Sequence, residues 1–398
     1  MKDERNINFY AQKDCDVLVV GAGIAGASAA LAAARNGKKV FLIEREYTVG
    51  GMATLGLISI YLPLCDGRGR QVSYGISEEL LRLSVKHGAD GPLPDAWMGG
   101  DNREARKKQR YKVQFYPCMF ALLLEELLKK EGERIFYGTL ATDVICCQNR
   151  ITAVIAETKS GRYKIRASSV IDCTGDSDIC MRAGAETNIY PAGNGLASWY
   201  YYHKDGEVKL RMFGLADTTP DCKNQEQESE KEASISSFRF RGTDSEERNA
   251  AWLMAHQKML EDIEKHQKED PSYMPMAISA IPLVRMSRRL AGRETLQKEG
   301  FYESSIGMCG DWCRSGPVYE IPFGALSSIS FCNLLAAGRN ISVENDLWNI
   351  TRVIPPCAVT GEAAGTAAAL TDDFWNLDTG LLQKKLRSQG VRIHRNEL

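Results

Sequence analysis

Three glycines and one acid carry the first chemistry legible in this chain. In DVLVVGAGIAGASAALAAARNGKKVFLIERE, Gly21, Gly23 and Gly26 follow the apolar run Asp14 to Val20, and Glu44 ends a second apolar run that starts at Lys39. Gly-x-Gly-x-x-Gly between a strand and a helix suits a pyrophosphate. The first glycine permits the tight turn, the second lets phosphate oxygens approach the backbone, and the third lets helix and strand pack closely. The helix N-terminus adds unpaired N–H groups and positive partial charge. Glu44 stands where a carboxylate accepts the hydroxyl pair of a ribose, so the unit reads as a dinucleotide site.

Two further stretches favour FAD among the dinucleotides. Gly50-Gly51 followed by Thr54 gives a second close backbone approach soon after the acid, as an extended flavin dinucleotide needs. IDCTGDSDICMRAGAE sets Thr174, Gly175 and Asp176 at the end of a buried strand with a helix after them. On the substrate side, RMSRRLAGR concentrates Arg285, Arg288, Arg289 and Arg293. On a helix, Arg285 would share a face with Arg288 or Arg289 and clamp a carboxylate or phosphate; a solvated basic face is the competing reading. Tyr319 and Tyr61 are candidate pocket walls or phenolic acids. The basic run REARKKQRYK, Arg103 to Lys112, reads as a solvated loop. Cys309 and Cys313 in CGDWC have no second pair or nearby histidine to complete a metal site, so no metal is expected.

These residues need elements to hold them. A strand over 14–20, a helix over 22–36 and a strand over 39–44 form one βαβ unit. Helices are predicted over 77–87, capped by Ser77 and stopped at Gly88, and over 119–131, stopped at Gly132. Residues 141–172 read as a three-stranded meander with turns at Asn149-Arg150 and Ser160-Gly161. The more polar stretch 221–270 contains a long surface helix over 245–268, begun by a Thr243/Glu246 capping box. NLLAAGRN is a short buried strand, and Thr360 to Leu370 is a helix of small residues. No second Gly-x-Gly-x-x-Gly exists, and Gly193 to Gly195 follows a proline and reads as a loop, which argues against a dedicated NAD(P)H domain.

Composition sets the frame. The chain has 398 residues, enough for two lobes, and its 50 basic and 51 acidic side chains nearly cancel. Such a balance gives no pull toward nucleic acid or acidic membranes. The polar N-terminus and the absence of a long apolar run lead us to expect a cytoplasmic protein with no membrane contact. Twelve scattered cysteines are then expected to be reduced and mostly buried.

On the stretches DVLVVGAGIAGASAALAAARNGKKVFLIERE, GGMATLGLI, VIDCTGDSDICMRAGAE, LLAAGRNIS and TRVIPPCAVTGEAAGTAAAL, the sequence resembles FAD-dependent oxidoreductases with a glutathione-reductase-type flavin domain, more distantly related to fumarate reductase and succinate dehydrogenase flavoproteins. The resemblance implies that Gly21, Gly23 and Gly26 hold the pyrophosphate and Glu44 the adenosine ribose. Arg45, Gly50, Gly51 and Thr54 would line the dinucleotide, Val144 would meet the adenine through its backbone, and Gly175, Asp176, Gly338 and Arg339 would close the site. A helix beginning near Gly361 would aim its N-terminus at the flavin pyrimidine, with Arg352 before it as the leading candidate for binding substrate or flavin and Cys357 nearby. The chain departs from many relatives at Asn345, at Asn349-Ile350 and in IPFG, Ile321 to Gly324, which leaves its acid or base unassigned.

The expected fold is α/β: a Rossmann-like FAD-binding domain with a three-stranded meander, drawn from residues 14–60, 131–185 and 325–372. A mixed α+β substrate or cap lobe would come from 61–130 and 186–324, with a C-terminal tail over 373–398. The expected activity is hydride transfer between flavin N5 and a small polar organic substrate, with an external electron donor or acceptor among the electron sources, and with Arg352, Tyr319 and Arg288 as the catalytic candidates. The rival expectation is a non-redox flavoprotein, such as an isomerase, a hydratase or part of a nucleic-acid-modifying assembly.

Overall fold

The first apolar run extends as β1 (Ala11–Val20), whose last four side chains are buried. It leads into α1 (Ile24–Arg35), buried from Ile24 to Ala33 because alanine and glycine let other elements approach it from every side. β2 (Val40–Ile43) then lies parallel to β1. This computed structural model describes residues 8–99, 102–132, 134–214 and 235–398.

The next segment carries β3 (Ile60–Tyr61), α2 (Ile76–Ser84), α3 (Asp95–Met98), α4 (Arg103–Lys108), β4 (Val113–Gln114) and α5 (Pro117–Lys130). Its buried Tyr61, Trp97, Tyr111, Phe115 and Phe120 share one hydrophobic cluster with Val17 and Val19 of β1 and the small residues of α1. Ser77 does not cap α2: Gly75 is the N-cap, and the Ser77 hydroxyl donates instead to the Pro355 carbonyl at 3.3 Å.

β5 (Arg134–Phe136) returns parallel to β2, and β6 (Leu140–Cys147), β7 (Arg150–Thr158) and β8 (Gly161–Asp172) form the expected meander. α6 (Asp178–Ala183) follows. Residues 187–290 supply β9 (Thr187–Ile189), β10 (Asn194–Gly195), β11 (Ser198–Lys204), β12 (Glu207–Phe213), β13 (Arg239–Phe240), α7 (Ser245–Glu269), β14 (Met274–Ile278) and β15 (Arg288–Leu290). Here β12, β11 and β14 make an antiparallel sheet with α7 against it. Three expectations change in this region. Asn194-Gly195 is a short strand paired with β13 rather than a free loop. α7 is capped by Asp244, whose carboxylate accepts from the Glu247 N–H at 2.9 Å, not by Thr243. Arg285 to Arg293 is non-helical chain containing β15, which pairs with β9. Part of the polar stretch, 221–234, lies outside the described residues.

The chain closes with β16 (Ser305–Gly310), β17 (Val318–Pro322), β18 (Leu334–Ala336), α8 (Asn345–Thr351), α9 (Ile354–Leu370) and α10 (Thr379–Ser388). α9 starts seven residues before Gly361, because Pro355 sits in the first turn, where a missing N–H costs nothing. Residues 373–398 are no loose tail: Phe374 is buried, its N–H donates to the Cys332 carbonyl at 2.7 Å, and α10 packs on α9.

β8 organises the main sheet. One edge pairs in parallel with β1 from Tyr163 to Asp172. The other edge is divided, its first residues pairing antiparallel with β7 and Val170 to Asp172 pairing in parallel with β18. The strands β5, β2, β1, β8 and β18 therefore run in one direction, and their carboxyl ends lie along one edge of the sheet. The order in which the chain adds strands reverses between β1 and β8, with β2 and β5 on one side and β18 on the other, and such a switch point opens a crevice where α/β sheets bind ligands.

Candidate functional site

A cleft of about 1250 Å³ runs along that edge. Its wall contains Gly21 and Gly23 after β1, Glu44 to Glu46 after β2, Thr139 after β5, Cys173 to Asp176 after β8, and Ala337 to Arg339 after β18. One loop from each parallel strand thus meets at a single site, although the loops are far apart in sequence. The volume exceeds the 300–1,000 Å³ usual for a small-molecule pocket, leaving room for a dinucleotide and a second molecule.

The three glycines have three different environments. Gly21 has φ +96°, and a Cβ there would stand 2.6 Å from the Cys173 carbonyl oxygen. A Cβ on Gly26 would fall 1.8 Å from the Gly21 carbonyl oxygen, so this residue serves the contact between helix and strand and does not line the cleft. Gly23 differs. Its backbone, at φ −65° and ψ −175°, suits any residue, a Cβ there would meet nothing within 4 Å, and no side chain caps the first-turn N–H groups of α1. Open space before uncapped N–H groups is the cradle an anionic pyrophosphate fits. Gly50 and Gly51 reach the same place: Gly23 and Gly50 form a bridge, and the Gly50 N–H donates to the Ala22 carbonyl at 2.8 Å.

Glu44 is buried at the mouth of this cradle and accepts from the Ala22 N–H at 2.6 Å and the Glu46 N–H at 3.0 Å. Burial raises its pKa against the pull of those two bonds. Arg45 also lines the cleft but is half exposed and pairs with Glu46 at 3.3 Å. Thr54 lies behind the wall, its hydroxyl donating to the Val49 carbonyl at 2.6 Å. Val144 lies in the buried core of the meander, away from the cleft; Thr139, Leu140 and Ala141, at the start of β6, take the wall position expected of it.

Asp176 and Arg339 hold each other. The Arg339 guanidinium donates to Asp176 at 2.6 Å, to the Gly175 carbonyl at 2.7 Å and to the Val284 carbonyl at 2.7 Å. Arg248 meets the other Asp176 oxygen at 3.0 Å, and the Ser287 hydroxyl donates to the first. Burial opposes ionisation of Asp176, but the two guanidiniums prevail and bring its pKa to about 2. Asp172, which the sequence reading did not single out, is fully buried and accepts from the N–H groups of Ile179 and Cys180 at 2.9 Å and the Thr174 hydroxyl at 2.7 Å, fixing the loop after β8 onto α6.

At the other side of the crevice, Arg352 is the C-cap that follows α8 and stands just before the first turn of α9, not nine residues ahead of a helix at Gly361. Val353, Ile354 and Cys357 line the cleft with it. Gly361 does not: a Cβ there would lie 2.2 Å from the Ala25 carbonyl oxygen, so it lets α9 press against α1. The Arg352 Nε and Nη2 both donate to Asn349 Oδ1, the first at 3.0 Å, and no carboxylate among the described residues pairs with it. Burial and the neighbouring guanidiniums of Arg285 and Arg339 push its pKa well down, the mark of a cation whose field lacks an anion. The Cys357 thiol, pushed up to about 12 by burial, stays protonated and faces the Arg352 carbonyl at 3.4 Å.

The other catalytic candidates lie elsewhere. Tyr319 is buried in β17, with its hydroxyl 3.2 Å from Asp311 and off the cleft wall. Arg288, in β15, points to Asp178 at 3.9 Å and does not line the cleft. Because the arginine run is not helical, Arg289 covers Trp348 at 4.7 Å, Arg293 donates to the Trp375 carbonyl, and only Arg285 of the four reaches the wall. Tyr61 is fully buried, donating to the Ser77 carbonyl at 2.6 Å. Cys313 lies in a disulfide, against the expectation of reduced thiols, whereas Cys309 is a free buried thiol, so the two are not paired.

The basic run expected to be a solvated loop supplies Lys107, Lys108, Arg110 and Lys112 to the wall. The signal was present in the sequence: Arg110 and Lys112 alternate with Tyr111, Val113 and Phe115, which are buried, and period two marks an extended segment with one face inward. Among the described residues no group of histidine, cysteine and acidic side chains could hold a metal ion, and no helix is long and apolar enough to cross a membrane.

Comparison with known proteins follows the same lines. A family profile described as FAD dependent oxidoreductase matches residues 16–197 and 306–386. The thioredoxin reductase of Ureaplasma parvum is 32% identical over 74 residues, covering 19% of this chain and 24% of its own. The tRNA uridine 5-carboxymethylaminomethyl modification enzyme of Ligilactobacillus salivarius is 24% identical over 197 residues, 46% of this chain and 30% of its own. The chain thus spans less than a third of the length of these curated relatives. A geranylgeranyl bacteriochlorophyll reductase-like protein of Thermoplasma acidophilum superposes over 95% of this chain and 83% of its own, at 15% identity and a TM-score of 0.49.

Proposed function

This chain belongs to the FAD dependent oxidoreductase family, and from that premise we propose that it transfers a hydride between N5 of a non-covalent FAD and a carbon of a small polar organic substrate. The reaction would oxidise an alcohol or amine or reduce an activated double bond. FAD supplies the two-electron chemistry; this chain's residues supply orientation and charge. Gly21, Gly23 and the N-terminus of α1 would hold the pyrophosphate, and Glu44 the ribose. Arg352 and the first turn of α9 would hold the pyrimidine edge of the flavin.

The observation that carries this reading is the Arg352 guanidinium, which lines the cleft with an amide oxygen for a partner and no carboxylate among the described residues. A fixed cation at the end of an uncapped helix stabilises negative charge that develops as electrons arrive, the helix end contributing about 0.3–2 kcal/mol. Asp176 takes no proton part, since two guanidiniums keep it ionised. Cys357 stays a neutral thiol. The other half-reaction is assigned to an external small-molecule electron donor or acceptor.

Anaerobic photoreduction of the holoenzyme tests the reading. Reduced flavin should be reoxidised by a carbonyl or activated alkene substrate, or the oxidised flavin bleached by the corresponding alcohol or amine. A flavin that stays inert to a compound the protein converts without net oxidation would overturn hydride transfer in favour of a non-redox role.

A further inference from the structure

We propose that the end of the cleft remote from the strand-end loops binds an elongated organic anion, with an apolar body along Ile58, Ile60, Leu62 and Trp312 and a carboxylate or phosphate head at Arg110 and Lys112. This narrows the substrate of the hydride-transfer reading and rests on it only for which carbon reacts; the binding itself does not.

The acids of the cleft are confined to one part of its wall. The acids on its wall, Glu44, Glu46, Asp176 and Asp178, all follow β2 or β8, Asp178 as the first residue of α6, and they lie among Arg45, Arg182, Arg248 and Arg339. Among the described residues, the wall formed by residues 52–112 and 281–315 contains no acid, but it contains Lys107, Lys108, Arg110 and Lys112. Glu104 pairs with Lys107 at 2.6 Å, whereas Lys108 and Lys112 have no ion pair among the described residues. Among the described residues, Arg110 donates to the Trp312 carbonyl at 3.2 Å and the Ser315 hydroxyl at 2.9 Å and meets no carboxylate. Several cations facing one cavity without counter-ions repel one another, and an anion relieves that repulsion.

The positions are built and held. The Trp97 indole N–H donates to the Gln109 carbonyl at 2.6 Å, and the Gln109 amide clasps Ala96 and Leu93. Trp97 stacks on Tyr111 with centroids 5.1 Å apart. Arg110 and Lys112 are therefore displayed from a fixed extended segment.

An apolar wall connects this head site to the reacting end. Ile58, Ile60 and Leu62 all face the cleft, while the intervening Ser59 and Tyr61 turn away to bond Tyr201 and the Ser77 carbonyl. The β3–β4 register, Ile60 opposite Gln114 and Tyr61 opposite Val113, carries Leu62 toward Lys112. At the other end, the Ile58 N–H donates to the Met52 carbonyl in the loop that follows Gly51. Trp312 spans the same interval: its carbonyl receives Arg110, and its indole N–H donates to the carbonyl of Asn349, whose side chain holds Arg352. From residue 58 to residue 62 an extended strand covers about 13 Å, which sets the length of the body.

The test is isothermal titration of oxidised holoenzyme with decanoate, decyl phosphate, hexanoate and decanol. One of the two ten-carbon anions should bind about tenfold or more tightly than decanol, and the tighter one identifies the head group. Hexanoate should bind on the order of a hundredfold more weakly than decanoate, since each CH₂ is worth about fourfold. Lys112→Gln and Arg110→Gln should each weaken the anion by about tenfold with flavin absorbance unchanged. Lys129→Gln, on the outer face of α5, should leave it unaltered. Decanol binding as tightly as the anions, no loss in Lys112→Gln and Arg110→Gln, or no binding by either anion would overturn the proposal. A positive result beside an inert flavin would remove hydride transfer and leave the subsite standing.

Discussion

Gly23 is the position where a single added side chain tests the cofactor's place. Gly21 and Gly26 cannot serve, because any Cβ there strikes backbone and disturbs the fold itself. At Gly23 the backbone accepts any residue and the added atoms enter open cleft. Gly23→Leu should therefore fold, with unchanged circular dichroism, and bind FAD on the order of a hundredfold more weakly, read as flavin absorbance per protein after gel filtration. Stoichiometric FAD in that variant would remove the pyrophosphate from this loop. Arg352 gives the second test at this scale. Arg352→Lys keeps the charge and loses the planar fork. If the fork holds substrate, kcat/KM should fall about ten- to a hundredfold while the FAD dissociation constant changes little. If FAD loss explains the whole defect, Arg352 is a cofactor ligand.

α9 shows what an element contributes beyond its residues. Its glycines let it lie against α1, with a Cβ at Gly361 or Gly365 set to fall 2.2 or 2.1 Å from carbonyl oxygens of α1, and this contact fixes where its first turn meets the cleft. The same helix buries Glu362, which accepts from the Ile76 N–H at 2.8 Å and lies near Glu79 and Arg35. Burial lifts its pKa from 4.5 to about 8. Below pH 4.5 folded and unfolded chains both carry the proton; between 4.5 and 8 only the folded chain does. Rising pH therefore favours unfolding across that window, by a few kcal/mol in total, and the slope ends above pH 8. Glu362→Gln keeps an acceptor for Ile76 and should remove the slope, so that its stability relative to wild type increases from pH 5 to pH 8.5 in urea titrations. Parallel curves for the two proteins would show that Glu362 ionises freely in the fold.

Across the whole molecule, the cleft couples segments that are distant in sequence. Loops from five strands, the first turn of α9 and Trp199 and Met212 of the β11–β12 sheet all face it. The residues between 61 and 130 share their hydrophobic cluster with β1 and α1 and so do not form a core of their own. A ligand filling this cleft binds the folded chain and not the unfolded one. FAD at a hundredfold excess over its dissociation constant should therefore add about 2.7 kcal/mol, and stripping it should lower the melting temperature, with recovery on adding FAD back. Equal melting temperatures with and without FAD would separate the cofactor from the cleft.

The sequence by itself determined the βαβ unit, the glycine cradle, the meander and the flavin, because each depends on near neighbours: a turn that only glycine allows, a period of two, an acid ending a strand. It also contained the alternation of Arg110 and Lys112 with buried aromatic residues, though charge density made that stretch look like loop. Tertiary structure alone decided the rest. Whether Tyr319 and Arg288 reach the cleft depends on how two small two-stranded sheets pack: Tyr319 turns to Asp311 off the cleft, and Arg288 approaches Asp178 of the wall without lining the cleft itself. That Arg352 stands beside the like charges of Arg285 and Arg339, with Asn349 and no carboxylate as partner among the described residues, depends on segments remote in sequence. That a wall carrying Lys107, Lys108, Arg110 and Lys112 has no acid among the described residues, while the cleft acids all follow β2 and β8, arises only when segments separate in sequence are brought to one cleft.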